Sequence, residues 1–244
     1  MVKSRGFTIW ELLLVVIVIC ILGVVSIALF SSPGHERAHA ISCASNLKQV
    51  GLAMMQYMQD YDNRVPPRYS MTPTGRKISW RAALSPYTKT VELFRCPTDQ
   101  ARDMVDFEND GFPRSYAVDS SPGGPFDDRN PSLRMDKVAH PESVIAVLES
   151  TAAFDDFNPL LPGMFARPTR EGRLAGHLFA GHNGGTNILF FDGHVKPMRP
   201  LDLLPVNGTN PWTTDGSPYS ATDYATAKST LAYGLSQSKV DGQQ

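Results

Sequence analysis

The sequence lacks several motifs of the common enzyme classes. It contains no G-x-S-x-G nucleophile elbow, no P-loop and no dinucleotide-binding fingerprint. It also lacks an excess of charge of either sign, because its 244 residues carry a formal net charge of −1 and no long basic run. Nucleic-acid binding, which needs clustered Lys and Arg, is therefore not expected. We predict a protein that is not an enzyme and needs no cofactor.

The longest uncharged apolar run lies near the N-terminus, from Leu12 to Phe30. As a helix it spans about 28 Å, close to the ~30 Å hydrocarbon core of a bilayer. Lys3 and Arg5 precede it, and basic flanks face the cytoplasm. We predict a single-pass membrane segment with the following residues on the opposite side.

A single acid, Glu11, precedes this run. A carboxylate inside a membrane costs about 2.5–3.5 kcal/mol, and the run offers no Lys, Arg or His as a partner. Cleavage after Gly6 gives Phe7 a free α-amine, with which Glu11 of a neighbouring copy can pair. The pattern therefore indicates self-assembly.

The N-terminal motif, from Gly6 through Phe7, Thr8 and Glu11 to Leu13, resembles the G-F-T-x-x-E-L-L signature of type IV pilins and type II secretion pseudopilins. The resemblance implies that a prepilin peptidase cleaves after Gly6 and methylates Phe7, and that Glu11 guides docking. It also implies other copies or related pseudopilins, an inner-membrane assembly platform and a separate ATPase as partners. The head then faces the periplasm or the cell surface.

Other interpretations of the N-terminus fit less well. A secretory signal peptide has a shorter apolar core and a small-residue cleavage site just behind it, whereas Ala38-His39-Ala40 lies well beyond. A lipoprotein site at Cys20 needs a small residue before it, and Ile19 is not small. A plain membrane anchor stays open.

The remaining chain predicts an α+β fold. Segments are expected as a leader (1–6), a transmembrane part (7–30), an amphipathic extension of the same helix (31–62), a pilin-like head with long loops (63–200) and a polar tail (201–244). Pro33 kinks or splits the helix. Apolar residues at three- and four-residue steps predict a stripe under an antiparallel sheet: Cys43, Leu47, Val50, Met54, Met58 and Tyr61. The tail either is mobile or lies over the head.

Three short apolar runs predict strands: 115–118, 143–149 and 187–191. Asp192-Gly193 predicts a two-residue type I′ hairpin turn after the last of them. Pro197, in the return strand, indicates the edge of the sheet because proline has no N–H to donate.

The head carries a second resemblance. Its segments 43–53, 94–99 and 181–195 resemble a bacterial prepilin-type family named for a His, nine residues and then Asp-Gly, a spacing held by His182, Asp192 and Gly193. We interpret these residues as structural, with His182 bonded to a backbone carbonyl and Asp192 shaping its turn. A metal site of His177, His182, Asp192 and His194 is the alternative, but it fits no standard zinc spacing.

Two further sites are open. In an oxidising compartment Cys43 and Cys96 form a disulfide, and otherwise they are buried thiols. The likeness to G-type pseudopilins, which carry calcium, makes a calcium site possible at Asp127-Asp128 or at Asp155, Asp156 and Asn158. Solvated loop acids are the alternative.

Two functions follow from these patterns. One is a structural subunit of a type II secretion or type IV pilus-like filament, either a main or a minor tip subunit. The other is a membrane-anchored surface binding protein, for example for polysaccharide, that does not polymerise.

Overall fold

A computed structural model describes residues 8–29, 32–99, 111–130, 133–150, 156–161, 167–168, 174–175, 178, 180–206 and 208–241. The helices are α1 (Ile9–Leu29), α2 (Ser32–Asp60), α3 (Trp80–Leu84) and α4 (Ala221–Asp241). The strands are β1 (Tyr69–Met71), β2 (Lys77–Ser79), β3 (Tyr116–Asp119), β4 (Ile145–Glu149), β5 (Asp156–Phe157), β6 (Arg167–Pro168), β7 (Leu174–Ala175), β8 (Thr186–Phe190) and β9 (Val195–Met198). The chain divides into two compact units, 1–38 and 39–244.

Helix α1 is mostly apolar and carries one acid, Glu11, in its first turn. Its window Ile9–Ser26 has a mean hydropathy of 2.8 and none of it is buried within the chain. Its 21 residues span about 31 Å as a helix, which matches the thickness of a bilayer core. By length and composition, α1 can cross a membrane once.

A five-stranded sheet forms the centre of the second unit, in the order β5-β3-β4-β8-β9. Three of its four pairings are antiparallel, and the pairing of β3 with β5 is parallel. Short two-stranded sheets, β1-β2 and β6-β7, accompany it. The predicted α+β class is confirmed, with one parallel pairing in a sheet that was expected to be antiparallel. As Pro197 indicates, β9 is an edge strand.

The apolar stripe of α2 forms the core on one face of the sheet. Its members and the strand residues Val118, Val147 and Leu189 belong to a single buried cluster. One predicted member is wrong: Tyr61 is 51% exposed, because α2 ends at Asp60. Tyr57 takes its place in the core, and Tyr61 stacks on the Tyr57 ring with the centroids 4.2 Å apart.

The opposite face of the sheet is covered by the C-terminal part of the chain. A second buried cluster joins Ile145, Leu148, Ile188 and Phe190 to residues beyond position 200: Leu203, Leu204, Trp212, Ala227 and Leu231. The segment predicted as a polar tail that is mobile or lies over the head (201–244) therefore supplies part of the core. The sequence pattern does not indicate this role in the core, because only a few apolar residues, widely spaced among Ser, Thr and Gly, contact the sheet.

The turn between β8 and β9 differs from the predicted two-residue type I′ turn. The N–H of Gly193 donates to the carbonyl of Phe190 and the N–H of Phe190 to the carbonyl of His194, so the loop has three residues. Gly193 has φ +91°, whereas Asp192 is not among the positive-φ residues. This is a turn followed by a left-handed glycine bulge, and a type I′ turn would need positive φ at both central residues.

Candidate functional sites: the N-terminal helix and a buried polar cluster

The first turn of α1 places Glu11 beside Thr8. One carboxylate oxygen, Oε2, accepts hydrogen bonds from the Thr8 backbone N–H (2.9 Å) and from its hydroxyl (3.0 Å). Thr-x-x-Glu is the sequence pattern of a capping box, and here the Glu11 carboxylate accepts the Thr8 N–H, a donor that the start of a helix leaves free. Thr8 therefore gives Glu11 a partner within its own chain, which the sequence analysis did not consider, and the pairing with a neighbouring copy stays a prediction. The sequence already carried the Thr-x-x-Glu signal.

The position of Glu11 also lowers the cost of its charge. It is the third residue of the membrane-compatible window Ile9–Ser26, so it lies near one end of that window. The partial positive charge of a helix N-terminus favours an acid there. Glu11 and the apolar side chains that follow it as far as Ser26 are exposed, which leaves this part of α1 open to lipid or to other helices. Gly6 and Phe7, the predicted processing residues, lie outside the described residues.

The second unit contains a buried group of side chains that we call the disulfide cluster: Cys43, Cys96, Glu149, His182 and Asn187. A disulfide joins Cys43 on α2 to Cys96, 53 residues further along the chain. Both cysteines and Glu149 are 0% exposed. The His182 side chain is 6% exposed, so the imidazole is the part of the cluster nearest to solvent.

His182 connects the carboxylate and the disulfide. Its Nε2 lies 3.2 Å from Glu149 Oε1 and 3.6 Å from Cys96 Sγ. The sequence interpretation gave His182 a backbone carbonyl as partner, and the structure adds these two side-chain contacts. A buried acid is costly unless hydrogen-bonded or paired, and the imidazole supplies one of the partners that Glu149 needs.

Asn187 completes the cluster from β8. Its backbone N–H donates to Glu149 Oε2 at 2.6 Å, and its side-chain Nδ2 donates to Oε1 at 2.9 Å. The same Nδ2 lies 3.2 Å from the carbonyl oxygen of Ala40 on α2. The cluster therefore ties α2, β4 and β8 together at one end of the sheet. Sequence reasoning missed Glu149 and Asn187, although an acid that ends the buried run 143–149 was a signal.

Asp192 and His194 form a separate pair at the hairpin. Asp192 Oδ1 accepts the backbone N–H of His194 at 3.0 Å and lies 2.6 Å from its Nδ1. The His194 ring stacks on Phe190 with centroids 4.4 Å apart. Of the alternative metal set, His182 and Asp192 thus contact different partners, and His177 lies outside the described residues.

The carboxylates predicted for calcium are bound to basic residues. Arg68 contacts Asp128 and donates to Asp156 Oδ2 at 2.6 Å. Arg129 donates to both oxygens of Asp127. Asn158 Oδ1 accepts the N–H of Leu160 at 2.9 Å. Asp155 lies outside the described residues, and the calcium site stays a prediction.

Two acids in this region, Asp127 and Asp119, have pKa values that are shifted in opposite directions. Burial alone raises the pKa of Asp127, but hydrogen bonds from Arg129 and from the Gly123 N–H outweigh it and hold that pKa below its ordinary value. Asp119, at the end of β3, is 0% exposed. Burial raises the pKa of Asp119 well above its ordinary value, hydrogen bonds from Ser121 oppose this, and the charges of Asp127 and Asp156 add to it. Asp119 is therefore the acid whose ionisation the fold disfavours.

Comparison with known proteins gives a family match over part of the chain. A model of the family described as "Protein of unknown function (DUF1559)" matches residues 34–91, about a quarter of the chain. No curated protein and no solved structure matches the chain. Together with the membrane-compatible helix α1, the match is consistent with a pseudopilin-like surface protein, and it names no activity.

Proposed function

We propose that the chain is a pilin-like or pseudopilin subunit that is cleaved after Gly6, N-methylated at Phe7 and assembled into a filament through α1. The observation that carries this proposal is an apolar helix whose described side chains are exposed and whose first turn, directly behind the Gly6-Phe7 pair, contains Glu11. Such a helix needs a lipid or protein environment, since its exposed apolar surface is far larger than soluble monomers tolerate.

The capping box sharpens the role of Glu11. In the membrane-stored subunit, Thr8 holds the carboxylate at the start of α1. On assembly the α-ammonium of Phe7 from a neighbouring copy competes for the same oxygens, and a full positive charge is the stronger partner in a low-dielectric setting. Glu11 thus exchanges two internal hydrogen bonds for an intermolecular ion pair.

Processing tests the proposal directly. The full chain is expressed with and without a prepilin peptidase, and cleavage is followed as a shift in the mass of the membrane fraction. We expect peptidase-dependent loss of residues 1–6, and no loss in Gly6→Ala. The control is Gly23→Ala, because a Cβ at Gly23 meets no atom within 4 Å. If the parent chain stays full length with the peptidase present, the subunit function is rejected and a plain membrane-anchored protein remains.

A further inference from the structure

Four side chains with metal-binding atoms converge in the disulfide cluster. The sulfurs of Cys43 and Cys96, a carboxylate oxygen of Glu149 and a ring nitrogen of His182 all lie within 4.8 Å of one another. We propose that, when the Cys43–Cys96 disulfide is reduced, these four side chains bind one zinc ion. The inference is independent of filament assembly. The proposed site has only His182 in common with the metal set suggested by the sequence.

The spacing of the donor atoms suits a tetrahedral ion. With zinc bonds of about 2.0–2.3 Å, donors at the corners of a tetrahedron lie about 3.3–3.8 Å apart. His182 Nε2 is 3.2 Å from Glu149 Oε1 and 3.6 Å from Cys96 Sγ, which is already this spacing. The main adjustment falls on the two sulfurs, which must separate from bonding distance, about 2.05 Å, to about 3.8 Å.

The chemistry of the donors also selects zinc. Two thiolates, an imidazole and a carboxylate form a borderline-soft set, which zinc prefers and which calcium and magnesium do not. The charges nearly balance, because two thiolates and one carboxylate meet a divalent cation. Burial of three of the four residues excludes the water that an open catalytic site would retain, so the site is of the closed, structural kind.

A second layer of contacts already orients one ligand. Asn187 donates its backbone N–H to one oxygen of Glu149 and its side-chain amide to the other. Such outer contacts fix a ligand's orientation, and their loss typically costs ten- to a hundredfold in metal affinity. In the oxidised chain, the same contacts hold Glu149 beside the disulfide with no metal needed.

A dithiol can convert the oxidised, metal-free chain into the reduced chain that binds zinc, with atoms and electrons in balance. The dithiol gives two electrons and two protons to the disulfide, becomes a cyclic disulfide, and leaves one thiol on Cys43 and one on Cys96. Zinc then replaces both thiol protons, which pass to solvent along with any proton on His182 Nε2, and two Zn–S bonds form. Reoxidation by a disulfide reverses the sequence and expels the ion. Residues 43 and 96 therefore stay cross-linked in both states, by sulfur or by metal.

The test uses the full chain in detergent, without a polyhistidine tag and with Cys20→Ser, so that Cys43 and Cys96 are its only cysteines. One sample is reduced anaerobically and an equal sample is left oxidised, so that the two differ only in the disulfide. Each is titrated with Co²⁺ as a spectroscopic probe and then with Zn²⁺. Circular dichroism of each sample reports whether the native helices persist.

We expect the reduced chain to bind one Co²⁺ with a thiolate charge-transfer band and tetrahedral ligand-field absorption, Zn²⁺ to displace it, and the oxidised chain to bind none. His182→Gln weakens binding at least about tenfold, whereas His194→Gln, at the separate hairpin pair, leaves it unchanged. The proposal is overturned if the reduced chain binds no Co²⁺, if the spectrum is that of a six-coordinate ion, if binding occurs only to chain without native dichroism, or if His182→Gln binds as tightly as the parent.

Discussion

Asn187 donates hydrogen bonds to both oxygens of Glu149. Its backbone N lies 2.6 Å from Oε2 and its side-chain Nδ2 lies 2.9 Å from Oε1. This relationship joins the end of β4 to the start of β8. Because Glu149 is fully buried, its hydrogen bonds are made away from water. A donor that loses its acceptor in such a place keeps the full cost of desolvation.

Glu149→Ala tests how far the fold depends on this contact. The change leaves the two Asn187 donors and His182 without their carboxylate acceptor, and we expect the free energy of unfolding to fall by about 2–4 kcal/mol. Urea unfolding of the oxidised chain in detergent, followed by tryptophan fluorescence, measures it, since Trp80 and Trp212 are fully buried. Glu92→Ala is the control: Glu92 pairs with Arg95 at the surface and should cost less than about 1 kcal/mol. Equal losses would contradict the assigned role.

Because of the disulfide, we expect the free energy of unfolding to depend on the redox state of Cys43 and Cys96. It closes a loop of 53 residues, for which the chain-entropy estimate is about 4 kcal/mol. In a Cys20→Ser background with a chelator present, reduction should lower the urea midpoint accordingly. The double variant Cys43→Ser, Cys96→Ser should unfold at the same midpoint with and without reductant. No shift in the parent on reduction would contradict the account.

Asp119 predicts a stability that declines as pH rises. Its folded-state pKa lies above the unfolded value, so the folded chain binds its proton more tightly and loses this advantage as pH increases through the folded-state pKa. Asp119→Asn should therefore gain stability relative to the parent as the pH rises from 4 to 7. Tyr219, whose pKa is raised by burial and by the charge of Asp119, lies close by.

Unfolding midpoints of both chains measured from pH 4 to pH 8 check this slope. Asp136→Asn is the matched control, because hydrogen bonding from Arg134 at the surface holds the pKa of Asp136 below its ordinary value. Its difference from the parent should stay constant between pH 5 and pH 8. A constant difference for Asp119→Asn as well would show that Asp119 is ionised in the folded chain.

Substitutions at Glu11 and Thr8 distinguish a role of Glu11 in capping its own helix from a role in filament assembly. If Glu11 only caps its own helix, both variants should keep most of the filament yield, because Glu11→Ala removes two hydrogen bonds and Thr8→Ala removes only the one from the hydroxyl. If it pairs with the Phe7 ammonium of a neighbour, Glu11→Ala should reduce incorporation into sheared filaments at least about tenfold, or about 1.4 kcal/mol, while Thr8→Ala retains it. Both variants should remain in the membrane fraction. Similar filament yields from the two variants would reject the docking role.

Much of the fold could be predicted from the sequence because it lies in local patterns. The apolar run gave α1, the three- and four-residue spacing gave the stripe from Cys43 to Met58, and the continuous run 143–149 gave a strand that is buried on both faces. The C-terminal layer could not be predicted this way. Trp212 and Leu231 are isolated apolar residues in a polar sequence, and only the tertiary structure shows that they cover the sheet.

The candidate sites divide in the same way. The processing motif and the capping signal at Thr8 and Glu11 are contiguous, so they can be recognised in the sequence. The disulfide cluster brings together Cys43, Cys96, Glu149 and His182 from segments separated by as many as 139 positions, counted from residue 43 to residue 182. No spacing rule links such positions. Thr8, the partner of Glu11, was missed for a different reason. The charge of Glu11 was considered only in a membrane interior and not at the start of a helix.

The most direct test of the filament account is the N-terminal residue of the protein isolated from the membranes of its native host. Peptide mass spectrometry of the mature chain should find N-methylated phenylalanine at position 7 as its first residue, with Met1 to Gly6 removed. A mature chain that begins at Met1, recovered from cells with an active prepilin peptidase, would contradict it.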